Sequence, residues 1–162
     1  MFNQAAGRLY LSRFLCYRSP ASKATDNDES RRTVMASLLL VDDDQTFLDV
    51  LFELFSGEHL CHTAATAEEA VERLESHDYD VVVTNVSMPR MSGEDLLGFV
   101  KTYRPRTPVV FISGSTDKER AERLLTKGAF DFLQKPCRLE EITKRVARTV
   151  EHRRRSPPGV NC

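Results

Sequence analysis

The chain has 162 residues, of which 41% are hydrophobic, and its formal net charge is −1. This length suits one globular domain with short tails, and the near-neutral charge argues against a nucleic-acid-binding protein. No apolar run approaches the roughly 20 residues that a membrane-spanning helix requires.

The amino-terminal part of the chain differs in composition from the rest. Residues 1–25 include four basic residues and no acidic residue. Three interpretations are open: sequence translated from upstream of the true start, a disordered native tail, or an organellar targeting peptide. Each of them excludes the residues before about Thr33 from the fold. We predict a disordered or non-native extension over residues 1–36, a folded domain over 37–153 and a flexible tail over 154–162.

The cysteines show no paired spacing such as C-x-x-C; they are Cys16, Cys61, Cys137 and Cys162. This pattern argues against a disulfide framework and against a zinc site. Free thiols fit a reducing compartment, so we expect a cytoplasmic protein.

From residue 38 onward, strand-like and helix-like segments alternate, which is typical of parallel strands joined by crossover helices. Residues 38–41 are apolar without polar alternation, as expected for a strand buried on both faces. Apolar residues then recur at helical spacing over 47–55, and Gly57 ends this helix. A second, shorter strand is predicted over 60–64.

Capping residues mark the next two helices. Thr66 and Glu69 have the spacing of a capping box, which predicts a helix through Leu74. The third strand is predicted over 79–84, and Ser92 caps the helix that follows it.

The last part of the domain begins at the fourth strand, which runs over 109–112 after a proline-bracketed turn. Thr116 or Asp117 starts the next helix, and Gly128 ends it. The fifth strand is predicted over 130–133 and the last helix over 140–152.

Five strands alternating with five helices predict an α/β protein: a single domain with a flavodoxin-like, doubly wound (βα)5 fold around a parallel five-stranded sheet. In such a sheet the ligand site lies at the carboxyl ends of the strands, where the strand order reverses. Polar residues end four of the predicted strands, and their side chains are expected to converge in one crevice. These residues are Asp42, Asp43, Asp44, Asn85, Ser113 and Lys135.

In order and spacing, the motifs around these residues resemble the receiver domain of two-component response regulators, the CheY-like family. The resemblance covers roughly residues 37–153. The motifs are Val41-Asp42-Asp43-Asp44, Val83-Thr84-Asn85, Met88-Pro89, Ser92-Gly93, Ile112-Ser113-Gly114 and Leu133-Gln134-Lys135-Pro136.

The resemblance implies a role for each polar residue. Asp42 and Asp43 match the acid pair that holds Mg²⁺ in the family, and carboxylates are the hard oxygen ligands that this ion prefers. Ser113 matches the hydroxyl that bonds the phosphoryl group, and Lys135 matches the lysine that pairs with that group. The family also implies a cis bond between Lys135 and its proline. For Asp44, a charge at a helix amino terminus is at least as good an interpretation as a metal role.

Asn85 departs from the family pattern, because it stands where the resemblance implies the phosphoacceptor aspartate. A neutral amide oxygen is a poor nucleophile, so we predict a degenerate phosphoacceptor position, no catalytic residue and no enzymatic activity. An uncharged amide is also a weaker ligand, and Mg²⁺ binding by Asp42 and Asp43 is expected to be weakened. Lys135 is predicted to bond Asn85 or Asp43 directly.

Two disfavoured routes to phosphorylation are a substitute acceptor at Ser87 and deamidation of Asn85, which the branched side chain of Val86 hinders. Phe132 matches the aromatic residue that swings inward in the family when Ser113 engages the phosphoryl group. Ordinary core packing is the alternative interpretation of Phe132.

None of the histidines is assigned to catalysis or to a metal, because they do not cluster with the acids; they are His59, His62, His77 and His152. The basic run over 152–155 is interpreted as a solvated helix end. A patch for a nucleic acid or an acidic partner is the alternative.

Two functions remain as hypotheses. The first is a stand-alone pseudo-receiver that binds a sensor histidine kinase, a phosphotransfer protein or another receiver. Its partner or homodimer face comprises the fourth helix, the fifth strand and the fifth helix, over residues 117–127, 130–133 and 140–154. The second is a phosphorylation-competent response regulator with a non-standard acceptor. A nucleotide- or flavin-binding protein of similar fold is disfavoured, since no G-x-G-x-x-G follows the first strand.

Overall fold

The computed structural model describes residues 35–114 and 118–156. In this part of the chain five strands alternate with five helices, as the sequence predicts. The strands are β1 (Ser37–Val41), β2 (Leu60–Ala64), β3 (Val81–Thr84), β4 (Val109–Ser113) and β5 (Asp131–Gln134). The helices are α1 (Gln45–Phe55), α2 (Ala67–Ser76), α3 (Gly93–Tyr103), α4 (Lys118–Thr126) and α5 (Leu139–Arg155).

The strands form one parallel sheet in the order β2-β1-β3-β4-β5. The chain moves from β1 outward to β2, then crosses back to β3 on the other side of β1, so the strand order reverses between β1 and β3. This is the doubly wound, flavodoxin-like arrangement, and it confirms the predicted fold class. The reversal places the carboxyl ends of β1 and β3 side by side.

Both faces of the sheet are covered, and the two faces form two core clusters. Along β1, Leu38 and Leu40 pack on the side of α1 and α5, whereas Leu39 and Val41 pack on the side of α2 and α3. All four are at most 1% exposed. Burial of each such side chain stabilises the fold by roughly 1.5–3 kcal/mol, so β1 anchors the residues that follow it.

Helix caps follow the predicted residues, with one difference. Ser92 and Asp95 form a complete capping box at α3. At α2 the Thr66 side chain accepts the Glu69 N–H, but Glu69 accepts the N–H of Ala65 and not that of the cap residue. Only one of the two hydrogen bonds of the predicted capping box therefore forms at α2.

At the two ends of α4, the predicted start at Thr116 or Asp117 lies outside the described residues. Gly128, which was predicted to end this helix, has a φ of 98°. This is the left-handed conformation that favours glycine after a helix.

Several element boundaries differ from the predicted ones. β3 begins at Val81 and not at residue 79, and β5 is shifted by one residue to Asp131–Gln134. Tyr79 lies just before β3, where its carbonyl accepts the Thr107 hydroxyl rather than a strand hydrogen bond. α5 runs from Leu139 to Arg155, beyond both predicted ends.

Folded structure also extends past the predicted domain limits of 37 and 153. Ala36 is 2% exposed, and its carbonyl accepts the Leu60 N–H at 2.8 Å. At the other end, α5 continues to Arg155. The division into extension, domain and tail itself stays a prediction. Within the described ranges, no helix has the length and apolar character needed to cross a membrane.

Candidate functional site

The acid pair directly follows β1, and Asp42 is its buried member at 1% exposure. Its Oδ1 accepts the backbone N–H of Asp44 at 2.9 Å, and its Oδ2 accepts Lys135 Nζ at 2.8 Å. Both oxygens of this carboxylate therefore have donors. A buried carboxylate needs such partners, because an unpaired charge is strongly destabilising away from water.

Lys135 reaches Asp42 from the other half of the sheet. It follows β5, its peptide bond to Pro136 is cis as the resemblance implies, and its N–H donates to the Ser113 carbonyl at 2.8 Å. The ammonium also lies 3.7 Å from the centroid of the Phe47 ring. Lys135 was predicted to bond Asn85 or Asp43; this was wrong, because the fully buried carboxylate is Asp42.

Asn85 bonds the second acid of the pair. Its Nδ2 donates to Oδ1 of Asp43 and to the carbonyl of Ser87, both at 3.0 Å. Both partners are acceptors, so the amide must present its NH₂ group to them. Its own backbone N–H donates to the Val41 carbonyl at 2.9 Å, which fixes the residue beside the end of β1.

This arrangement does not fit a Mg²⁺ ion held between the acids. The ion binds oxygen ligands, yet Asn85 turns its NH₂ group toward Asp43, and Lys135 places an ammonium on Asp42. The Asn85 amide and the Lys135 ammonium thus donate hydrogen bonds to the two carboxylates that a cation would otherwise bridge. A cation would have to displace at least one of them, and the weakened Mg²⁺ binding itself stays a prediction.

Asp44, the third acid of the motif, caps α1. Its Oδ1 accepts the N–H groups of Thr46 and Phe47 at 3.0 and 3.3 Å. A carboxylate is favourable at a helix amino terminus. The structural interpretation of Asp44 is confirmed by these bonds.

Ser113 and Phe132 lie on the neighbouring strands β4 and β5. Ser113 is the last residue of β4 and is 1% exposed. Phe132 is partly buried and packs against the core cluster on the α2 and α3 side of the sheet. The core-packing interpretation of Phe132 therefore holds in this structure.

Three contacts of the site were not found from the sequence. Phe47 lies under the Lys135 ammonium. Arg120 on α4 donates to the Ser87 hydroxyl at 3.2 Å. Gly93 approaches the Asn85 backbone so closely that no side chain would fit. The glycine was visible as part of a motif, but the two side-chain contacts join residues far apart in sequence, and no local pattern marks them.

The histidines lie away from the acid pair, as predicted. His59 Nδ1 accepts the Ala36 N–H at 3.3 Å, and His62 Nδ1 lies 2.7 Å from the Tyr79 hydroxyl. Burial is the largest cause that lowers the pKa of both imidazoles, and for His62 the charges of Arg73 and His77 lower it further. Over the described ranges, no group of three or more His, Cys, Asp or Glu side chains has the arrangement of a metal site.

Two cysteines fall within the described ranges, and both are free thiols as predicted. Burial raises the pKa of Cys61 to about 11. Burial and the Glu141 carboxylate also raise the pKa of Cys137, against the opposing effect of Lys135. Cys137 lies next to the site in sequence, and a raised thiol pKa disfavours the thiolate that acts as a nucleophile.

The family model for the response regulator receiver domain matches residues 38–147 of this chain. This range includes all the site residues described above, from the acid pair to Lys135.

Curated relatives agree with this match. The chain is 34% identical over 114 residues to the DNA-binding transcriptional regulator NtrC of Escherichia coli K12, covering 70% of this chain and 24% of that protein. It is 29% identical over 116 residues to the cell cycle transcriptional regulator CtrA of Caulobacter vibrioides, covering 72% of this chain and 50% of that one. The chain therefore spans about a quarter to a half of the length of these relatives.

Solved structures give the same result. A response regulator receiver domain protein from Clostridium thermocellum superposes with a TM-score of 0.70 at 27% identity. The match covers 74% of this chain and 98% of that one. The BeF3-activated DrrB receiver domain superposes with a TM-score of 0.68 at 29% identity, over 72% and 98% of the two chains.

Proposed function

Because the chain belongs to the family of response regulator receiver domains, we propose that it is a pseudo-receiver. It acts in two-component phosphorelay signalling as a protein-interaction module that is not phosphorylated at Asn85 and has no enzymatic activity. The observation that carries this proposal is the bond from the Asn85 amide to Asp43 at 3.0 Å. The amide stabilises the acid pair as a donor, which a carboxylate at the same position would not do.

The same bond disfavours phosphoryl transfer. With its NH₂ group held by Asp43 and the Ser87 carbonyl, Asn85 can offer only a neutral amide oxygen, which is a poor nucleophile. The ammonium of Lys135 is already paired with Asp42. Signalling through this module therefore depends on which protein it binds and not on a covalent change at residue 85.

Intact-protein mass tests the proposal. Wild type and Asn85→Asp are incubated with a small phosphodonor and Mg²⁺. We expect a phosphoryl adduct on the variant alone, since the acid pair, Ser113 and Lys135 are all present. An adduct on wild type would refute the pseudo-receiver. No adduct on either protein would mean that more than Asn85 prevents the reaction.

Receiver domains interact with histidine kinases or phosphotransfer proteins, and we propose a partner of this kind, or another receiver such as a second copy of this chain. The proposed contact is the face formed by α4, β5 and α5. Leu125 on α4 is 45% exposed there. On the same proposed face, Arg145 of α5 donates to both carboxylate oxygens of Asp131 in β5, at 2.9 and 2.8 Å.

Binding and self-association are measured together for Leu125→Asp and Leu60→Asp. Leu60 is 53% exposed on β2, at the opposite edge of the sheet, and so provides a matched control. We expect only Leu125→Asp to weaken binding to a phosphotransfer protein or to reduce dimerisation in sedimentation. Equal effects of both variants would argue against this face.

A second candidate function is a competent receiver that is phosphorylated on a non-standard residue. It is favoured by the retention of Asp42, Ser113 and Lys135 in one site. Stability alone also explains why the Asp42–Lys135 pair is retained, since removal of one partner of a buried pair is strongly destabilising. Metal-dependent phosphate incorporation into wild type that Ser87→Ala abolishes would support this candidate.

Three further features stay predictions: the stand-alone organisation, the cytoplasmic location and the absence of a nucleic-acid partner. The curated relatives named above are transcriptional regulators, and the chain matches only part of each.

A further inference from the structure

A cleft of about 280 Å³ lies at the opposite end of the sheet from the acid pair. It is formed where α3 ends, where β4 is about to begin and where α5 approaches its last turn. The residues that line it include Asp78, Tyr103, Arg104, Arg106 and Arg153. Three arginines thus face a single aspartate, which makes the cleft basic although the whole protein is nearly neutral.

Arg104 forms a fixed wall of the cleft. Its Nε and Nη2 donate to the carbonyl of Leu74 at 3.1 and 2.8 Å, and Nε lies 3.4 Å from a carboxylate oxygen of Asp78. The only acidic residue of the lining is therefore paired, and Arg104 is held by the end of α2. Neither group needs a ligand.

Arg106 and Arg153 differ from Arg104, because no hydrogen bond or ion pair within residues 35–114 and 118–156 engages either guanidinium. Nε of Arg153 is buried and has no hydrogen-bond partner among these residues. A buried donor without an acceptor is destabilising, and a guanidinium offers five N–H donors in a planar arrangement that matches phosphate. Arg153 and the exposed Arg106 thus give this basic cleft two guanidinium groups that have no ion-pair partner among the described residues, which suits the cleft to an anion.

Tyr103 adds an aromatic surface to the same cleft. It is 63% exposed, and its ring packs on Phe99 with 4.7 Å between the centroids. The ring is thus supported from within the protein and accessible from solvent. An exposed aromatic ring beside arginine is suited to stacking against a planar ligand.

We propose that this cleft binds a small phosphate monoester that carries a planar ring, of the mononucleotide class. The phosphate lies between Arg106 and Arg153, and the ring stacks on Tyr103. The small volume favours such a ligand over a protein segment, because ligand pockets for small molecules begin at roughly this size. The site contains no glycine-rich turn and is independent of Asn85, so it stands or falls separately from the pseudo-receiver proposal.

The test titrates the full chain with adenosine monophosphate, ribose 5-phosphate and adenosine, and binding is followed by calorimetry and by amide chemical shifts. We expect adenosine monophosphate to bind and to shift the amides of the cleft. Arg106→Gln and Arg153→Gln are each expected to weaken its binding about tenfold or more, since each removes charge-assisted hydrogen bonds to phosphate. Tyr103→Ala is expected to weaken the binding of adenosine monophosphate but to leave the binding of ribose 5-phosphate unchanged.

Arg148→Gln is the matched control, because Arg148 is an exposed arginine on the same helix outside the cleft. Arg153→Lys keeps the positive charge. If this variant retains part of the binding, the loss of binding in Arg153→Gln is caused by the missing charge and not by unfolding. The proposal is overturned if none of the three ligands binds at millimolar concentration, or if Arg148→Gln weakens binding as much as the cleft variants. Binding of an acidic peptide but not of adenosine monophosphate would overturn it in favour of a protein partner.

Discussion

A Cβ atom on Gly93, the first residue of α3, would lie 2.0 Å from the backbone carbonyl oxygen of Asn85. The N–H of Gly93 also donates to the Val86 carbonyl at 2.9 Å. The start of α3 thus lies against the backbone of Asn85. Only a residue without a side chain permits this contact, which sets the position of Asn85 relative to Asp43.

Gly93→Ala is therefore expected to destabilise the protein by about 2 kcal/mol, because the added Cβ would meet backbone that cannot move aside easily. Urea unfolding measures the change. Gly98→Ala is the control: Gly98 lies inside the same helix, and a Cβ there would have no neighbour within 4 Å. We expect this control to be neutral or to stabilise by roughly 0.5–1 kcal/mol. Equal effects of the two substitutions would contradict the close approach.

Lys135→Met tests the ion pair of the site. It leaves the Asp42 carboxylate, whose side chain is 2% exposed, without the ammonium 2.8 Å away. We expect a loss of about 3 kcal/mol or more in the free energy of unfolding. Addition of Asp42→Asn to this variant should restore part of the lost free energy of unfolding, because the uncompensated charge is removed.

A surface pair provides the comparison for Lys135. Lys127 pairs with Glu94, and its side chain is 56% exposed. Lys127→Met is expected to change the free energy of unfolding by less than about 1 kcal/mol. If Lys135→Met were as mild as Lys127→Met, the Asp42 pair would not be a major contributor to stability.

The two histidines with lowered pKa values predict acid sensitivity. Burial lowers the pKa of His59 and of His62 in the folded protein. Below the ordinary histidine pKa the unfolded chain therefore binds protons more readily than the folded one, so stability is full above about pH 6.5 and falls as the pH drops through that value. Urea unfolding at about pH 7.5 and about pH 5.5 should record this loss.

His62→Gln should reduce the acid loss, because glutamine does not titrate and can still bond the Tyr79 hydroxyl, which lies 2.7 Å from His62 Nδ1. Equal stability of wild type at the two pH values would contradict the assignment.

Mg²⁺ should distinguish wild type from Asn85→Asp by its effect on Tm. In wild type two donors serve the acid pair, so little shift is expected at millimolar Mg²⁺. The variant exchanges a donor for a carboxylate ligand, and tighter binding to the folded state raises its Tm. An equal rise in both proteins would contradict the role of the Asn85 amide, and Asp43→Asn in the variant should abolish the shift.

Much of the fold was predictable because apolar runs and caps are local signals. The residues of β1, the cap at Ser92 and the stop at Gly128 were all found from the sequence. The partner of Lys135 was not, because burial of Asp42 rather than Asp43 depends on which residue of the pair turns inward at the end of β1. The cleft at Tyr103 was also missed, since its arginines come from separate elements and have no common spacing.

The pairing of Lys135 with Asp42 joins residues 93 positions apart in the chain. β3 and β4 lie between the strands that carry them, so the bond can form only after β5 has docked on a nearly complete sheet. Closing so long a segment is entropically unfavourable, and contacts of this kind slow folding. We therefore expect the Asp42–Lys135 pair to form late in folding, after most of the sheet is in place.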